Sequence, residues 1–99
     1  MSESGRMQII APGERIMAPG VAELRGRLLE LLDAGATELI FDLADVELID
    51  SSGIGLIITT YNQIRHNNGS LIIINASPDI LKIFKGMQLD KHFSICGRE

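Results

Sequence analysis

Between residues 54 and 64 the apolar side chains Ile54, Ile57, Ile58, Tyr61 and Ile64 recur at i, i+3, i+4, i+7 and i+10, the period of one helical face. The stretch IGLIITTY is rich in β-branched residues, and propensity alone would make it a strand. Its period, its length out to Asn67 and the stop signal Asn67-Asn68-Gly69 make it a helix instead. That assignment organises the chain, because an unbroken apolar run stands on either side: ELIFDL at 38–43 and SLIIIN at 70–75. Both read as strands, and the second is apolar enough to predict cover on both faces of a sheet.

The remaining elements follow from pattern and punctuation. Two short apolar pieces, MQII and RIM, flank the turn dipeptide Pro12-Gly13. Val21, Leu24, Leu28, Leu31 and Leu32 share one helical stripe that Gly35 would end. Pro19 suits the start of that helix, although no good N-cap residue precedes it. VELID at 46–50 continues the first strand or forms a short companion to it. Ser77-Pro78-Asp79 is a cap followed by proline at the first helical position, with Ile80, Ile83, Phe84 and Met87 as the expected buried stripe and Gly86 near its end. Leu89, Phe93 and Ile95 suggest a last strand or packed tail. The order β-β-α-β-α-β-α-β predicts an α/β fold with helices on a mostly parallel or mixed sheet.

Ninety-nine residues make one domain, 1–99, with residues 1–6 expected to fray. The absence of Trp and the single Tyr point to a core of Ile and Leu. A net charge of −4 and the lack of any run of Lys or Arg argue against nucleic acid. No apolar run approaches the roughly 20 residues of a membrane span. The start, MSESGRMQ, does not resemble a secretory signal, so a cytoplasmic location is expected. Cys96 is the only cysteine, which excludes an internal disulfide and a multi-cysteine metal site. No metal or cofactor is expected.

The chemistry of the chain concentrates in ELIDSSGIGL at 47–56, where a strand ending in Asp50 meets Ser51 and Ser52 at the start of a helix. A helix start leaves amides unpaired, and Asp50, Ser51 or Ser52 could cap them. One cap suffices, so capping accounts for only one of the three. Gly53 and Gly55 match the first two glycines of a dinucleotide fingerprint, but Ile58 occupies the third position and there is no P-loop lysine. A catalytic serine would need a histidine, and His66 falls about 20 Å away along the same helix, while His92 sits in the polar stretch LDKHF. No catalytic residue is expected. A third reading makes the serine a phosphoryl acceptor: the phosphate adds about −1.5 to −2 charge, and beside Asp50 that charge would turn away a partner fitted to the bare hydroxyl.

The stretch from VELIDSSGIGLIITTYNQIRHNNGSLIIINASPDI to its end, DKHFSI, resembles the STAS domain, and in particular the free-standing anti-sigma factor antagonists of bacteria. The resemblance covers residues 21–95 and rests on the apolar strand ending in Asp-Ser-Ser-Gly, the aliphatic helix, the glycine before the next strand and the Ser-Pro helix start. It implies a mixed sheet of four to five strands flanked by three to four helices. It also implies partner switching: the unphosphorylated form binds a kinase-type anti-sigma factor, the kinase phosphorylates Ser51, and a serine phosphatase restores it. Asp50, Ser51, Ser52, Gly53, Ile54 and Gly55 would then form the partner surface. Members usually carry Gly-x-Leu/Ile-Asp-Ala before the first helix, whereas ERIMAPG places Met17 at the aspartate position, so Met17 joins that surface as an apolar contact. The short N-terminal part leaves a sheet edge for pairing, which would allow a homodimer. Two alternatives stand beside this reading: a non-switched STAS scaffold or transporter-associated subunit, and a small serine enzyme or ligand-binding domain.

Overall fold

The computed structural model describes residues 7–98; the fraying expected of residues 1–6 lies outside them. The elements run β1 (Met7–Ile10), β2 (Arg15–Ile16), α1 (Ala18–Asp33), β3 (Glu38–Asp42), β4 (Leu48–Ile49), α2 (Ser51–His66), β5 (Ser70–Ala76), α3 (Pro78–Gly86), a 3-10 turn (Leu89–Lys91) and β6 (Ser94–Gly97). The segment of ambiguous propensity is helical, as its period required. Four strands form one sheet in the order β1-β3-β5-β6, while β2 and β4 pair apart as a two-stranded ribbon. All of these pairings are parallel. No helix among the described residues is long and apolar enough to cross a membrane.

Each helix joins neighbouring strands, and the strand order advances in one direction. Right-handed crossovers therefore place α1, α2 and α3 on the same face. Their buried side chains, among them Leu28, Ile57 and Phe84, form one core with Leu39 and Phe41 of β3 and Leu71 and Ile73 of β5. The opposite face departs from the sequence expectation. Ile72 and Ile74 alternate with Leu71 and Ile73 and are only half-buried. Ile72 is in register with Ile40, and Ile40 with Ile9, which is 63% exposed. No helix among the described residues covers this face, so double cover was the wrong inference from SLIIIN. β-branched residues suit a pleated strand whether or not both sides are packed.

The stripe expected on α3 is also corrected. Ile80 and Phe84 are buried, but Ile83 and Met87 are 40% and 47% exposed. The helix is rolled toward Leu81, which packs on the core and whose Cδ2 lies 3.0 Å from where a Cβ on Gly97 of β6 would stand. The position of β6 selects the buried face. At the end of α2, Asn68 takes the left-handed turn at φ 60°. Gly69 is needed for a close approach, since a Cβ there would stand 2.6 Å from Ile64 Cγ1 and would overlap the Thr37 carbonyl.

Candidate functional site: the α2 N-terminus and the loop into α1

Asp50 occupies the N-cap of α2 with an extended backbone, φ −108° and ψ −177°. Its Oδ1 accepts from the Gly53 N–H at 2.9 Å, and its Oδ2 accepts from the Ala18 N–H at 3.0 Å. One carboxylate caps two helices. The second bond answers a need of α1, whose own N-cap residue, Met17, makes no side-chain cap bond. The main chain adds a further tie, because the Asp50 N–H donates to the Ile16 carbonyl at 3.2 Å.

Gly53 lets the two loops come this close. A Cβ there would lie 2.8 Å from Ile16 Cγ2 and 2.9 Å from Ile49 Cγ1, and would overlap the Ile16 carbonyl oxygen. Gly53 is buried, and its contribution is the absence of a side chain. Gly55, one helical step outward, is exposed and has open space where a Cβ would go. The two glycines of the sequence pattern thus have different physical origins.

The segment leading from β3 to β4 is steadied from both sides. Asp42 Oδ1 accepts from the Ala44 N–H and from Asn75 Nδ2, both at 3.0 Å. Arg98 Nη2 donates to the carbonyls of Leu43 at 3.1 Å, Ala44 at 2.6 Å and Val46 at 3.1 Å. The C-terminal end of the described chain therefore braces the segment that delivers Asp50 to its cap position.

The amides of Gly53 and then Ala18 hold the Asp50 carboxyl below the usual carboxylate range. It is ionised at neutral pH. With Asp50 as the cap, both serines are released from that duty. Ser51 and Ser52 lie in the first turn of α2 and are exposed, and the Ser51 hydroxyl has no hydrogen-bond partner among the described residues. Ile54 is half-buried against the core, and Met17 is half-buried beside Ala18. Asp50 thus brings the Met17 loop and the serine turn together. Sequence reasoning missed the Ala18 amide and the Ile16 carbonyl as parts of this junction. The available signal was the uncapped start of α1, which implies an acceptor from elsewhere.

The STAS domain family model matches residues 1–98 of this chain. The anti-sigma-B factor antagonist of Bacillus subtilis (strain 168) is 34% identical over 61 residues, covering 62% of this chain and 55% of that protein. The unphosphorylated form of the anti-sigma factor antagonist SpoIIAA superposes with a TM-score of 0.83 at 20% identity, covering 96% of this chain and 84% of that one. The phosphorylated form of SpoIIAA, a Bacillus cell fate determinant, gives a TM-score of 0.77 at 20% identity, covering 96% and 86%. At these identities the structural likeness is one of fold. The chain spans a little over half the length of the curated relatives it matches.

Proposed function

The chain belongs to the STAS domain family, and on that footing we propose that it is an anti-sigma factor antagonist that works by partner switching. Unphosphorylated, it binds a kinase-type anti-sigma factor through the α2 N-terminus and the adjoining Met17 loop. Phosphorylation of Ser51 releases it, and a serine phosphatase resets it. The protein is a regulatory binding module rather than an enzyme, and acts in the cytoplasm. The observation that carries this reading is the exposed Ser51 hydroxyl, left without a capping role because Asp50 takes that role itself.

In the transfer step the Ser51 hydroxyl oxygen attacks the γ-phosphorus of ATP. The Oγ–P bond forms as the bond to the β-phosphate bridging oxygen breaks, ADP leaves, and the serine proton passes to a base of the kinase. The product carries about −1.5 to −2 charge next to the ionised Asp50. Like charges at about 4 Å cost roughly 4 kcal/mol at an effective dielectric of 20, and each 1.4 kcal/mol is about tenfold in affinity. Desolvating such a group against a partner adds to that cost. A single phosphate is sufficient to dismantle an interface built for a neutral hydroxyl.

Incubation with the partner kinase and ATP should add one phosphoryl group to the intact mass, and Ser51→Ala should abolish it. In a pull-down, Ser51→Ala should retain the anti-sigma factor and Ser51→Asp should lose it. Equal capture by both variants would replace the switch with a constitutive STAS scaffold.

A further inference from the structure

Helix α2 links two ends of different chemistry. At 1.5 Å per residue, Tyr61 lies roughly 15 Å and Arg65 roughly 21 Å beyond Ser51 along the helix axis. There a groove of about 210 Å³ opens between α2 and the 3-10 turn. Ile58, Leu89 and Phe93 line its apolar part, with Tyr61 beside them and Asn62, Arg65 and His92 completing it. Tyr61 packs on Phe93 with ring centroids 5.1 Å apart, and the Arg65 guanidinium lies over the tyrosine ring at 5.5 Å. A second recess, which includes His66, adjoins the groove through Arg65.

Two features define what this groove can take. The apolar groove itself, about 210 Å³, is below the roughly 300–1,000 Å³ of small-molecule sites and takes one large side chain, while the adjoining recess of about 400 Å³ is lined by the polar side chains Asn62, Arg65 and His66. The chain as a whole carries a net charge of −4, yet among the described residues no acid lines either recess, and Arg65, His66 and His92 do. Arg65 has no carboxylate partner among the described residues. We infer that the groove docks an acidic segment of a partner protein, which seats one aromatic side chain on the Tyr61–Phe93 pair while its carboxylates meet Arg65 and the histidines. An apolar anchor bordered by a complementary cation, Arg65, and by polar imidazoles is the arrangement from which interface hot spots are made. None of these residues lies in the serine turn, so docking here is insensitive to the state of Ser51.

Tyr61 is the only tyrosine in a chain without tryptophan, and its emission reports the groove directly. The full chain is titrated with the peptide acetyl-Glu-Asp-Phe-Glu-Asp-amide, with a version carrying Lys at the four acidic positions, and with a version carrying Ala for Phe. Tyr61 emission and backbone amide resonances are followed. The acidic phenylalanine peptide should give saturable shifts centred on Tyr61, Leu89 and Phe93, and the other two should not. Arg65→Glu should weaken binding roughly tenfold, the scale of one lost charge-assisted contact. His92→Gln, on a different element, should weaken it as well, which keeps the test decisive if Arg65→Glu disturbs the end of α2. Ser51→Asp should leave the affinity unchanged, which separates this inference from the switch. Equal binding of the lysine peptide, indifference to both groove variants, or no shift at millimolar peptide would overturn it. So would concentration-dependent shifts of the same resonances without peptide, because the groove would then take a second copy of the chain.

Discussion

Ala18 lies 32 residues from Asp50 in the chain, yet its amide and that of Gly53 divide the two oxygens of one carboxylate between them. Both bonds favour the ionised form, and Asp50 titrates below its ordinary range for that reason. Asp42 is lowered too, by the Asn75 side-chain amide first and the Ala44 amide second. A carboxyl with a depressed folded pKa contributes stability that is fully present above its unfolded value, about 3.9, and is lost as the pH falls through the folded value. Asp50→Asn keeps one acceptor oxygen and can cap only one helix, so it should lower the urea midpoint near neutrality. The gap from the parent protein should narrow as the pH drops below about 4, where the unfolded parent chain takes up the proton first, and should close once the pH has fallen through the lower folded value. A gap that stays constant from neutral to strongly acid pH would show that the charge plays no part. From the sequence, Asp50 is legible as one of three possible caps. Its second bond is not, because nothing local to Ala18 names a donor of help so far down the chain.

Secondary structure answers to local rules more readily than helix orientation does. The helical period of Ile54, Ile57, Ile58, Tyr61 and Ile64 correctly outweighs their β propensity, and Ser77-Pro78 correctly marks the start of α3. The face that α3 buries was misread because β6, the next strand in the chain, decides its roll. The glycines of α2 show the same division between local and tertiary causes. In a helix interior, Gly→Ala is ordinarily worth about 0.5–1 kcal/mol of added stability. Gly55→Ala should realise that gain, since open space surrounds the position. Gly53→Ala should instead cost about 1–3 kcal/mol, because the new methyl group would overlap the Ile16 carbonyl and force β2 away from α2. Urea unfolding of the two variants side by side measures the difference. Equal effects would mean that the β2–α2 approach is looser than the geometry states, and with it the junction that Asp50 ties together.

A sheet with α1, α2 and α3 on one side has an asymmetric energy balance, and the strands that carry it hide this in their sequence. Leu71, Ile72, Ile73 and Ile74 form one apolar run, yet alternate members belong to the core and to the uncovered face. Hydrophobicity cannot tell these apart, because Ile on a half-exposed face still packs against its cross-strand neighbours, each pair contributing roughly 0.2–1 kcal/mol. The topology can, since successive crossovers of one hand leave the other face without a helix. Adjacent residues of β3 offer the test. Phe41 is fully buried among the helices, and Phe41→Ala should cost about 3–5 kcal/mol, a large part of the roughly 5–15 kcal/mol available to a domain of this size. Ile40, its neighbour, is half-buried between Ile9 and Ile72. Ile40→Thr keeps the β-branched shape that a strand favours, and should cost no more than about 1 kcal/mol. If urea midpoints show the two substitutions to be equally damaging, the face carrying Ile9, Ile40 and Ile72 is packed in solution, and the one-sided arrangement of helices does not describe the whole of its cover.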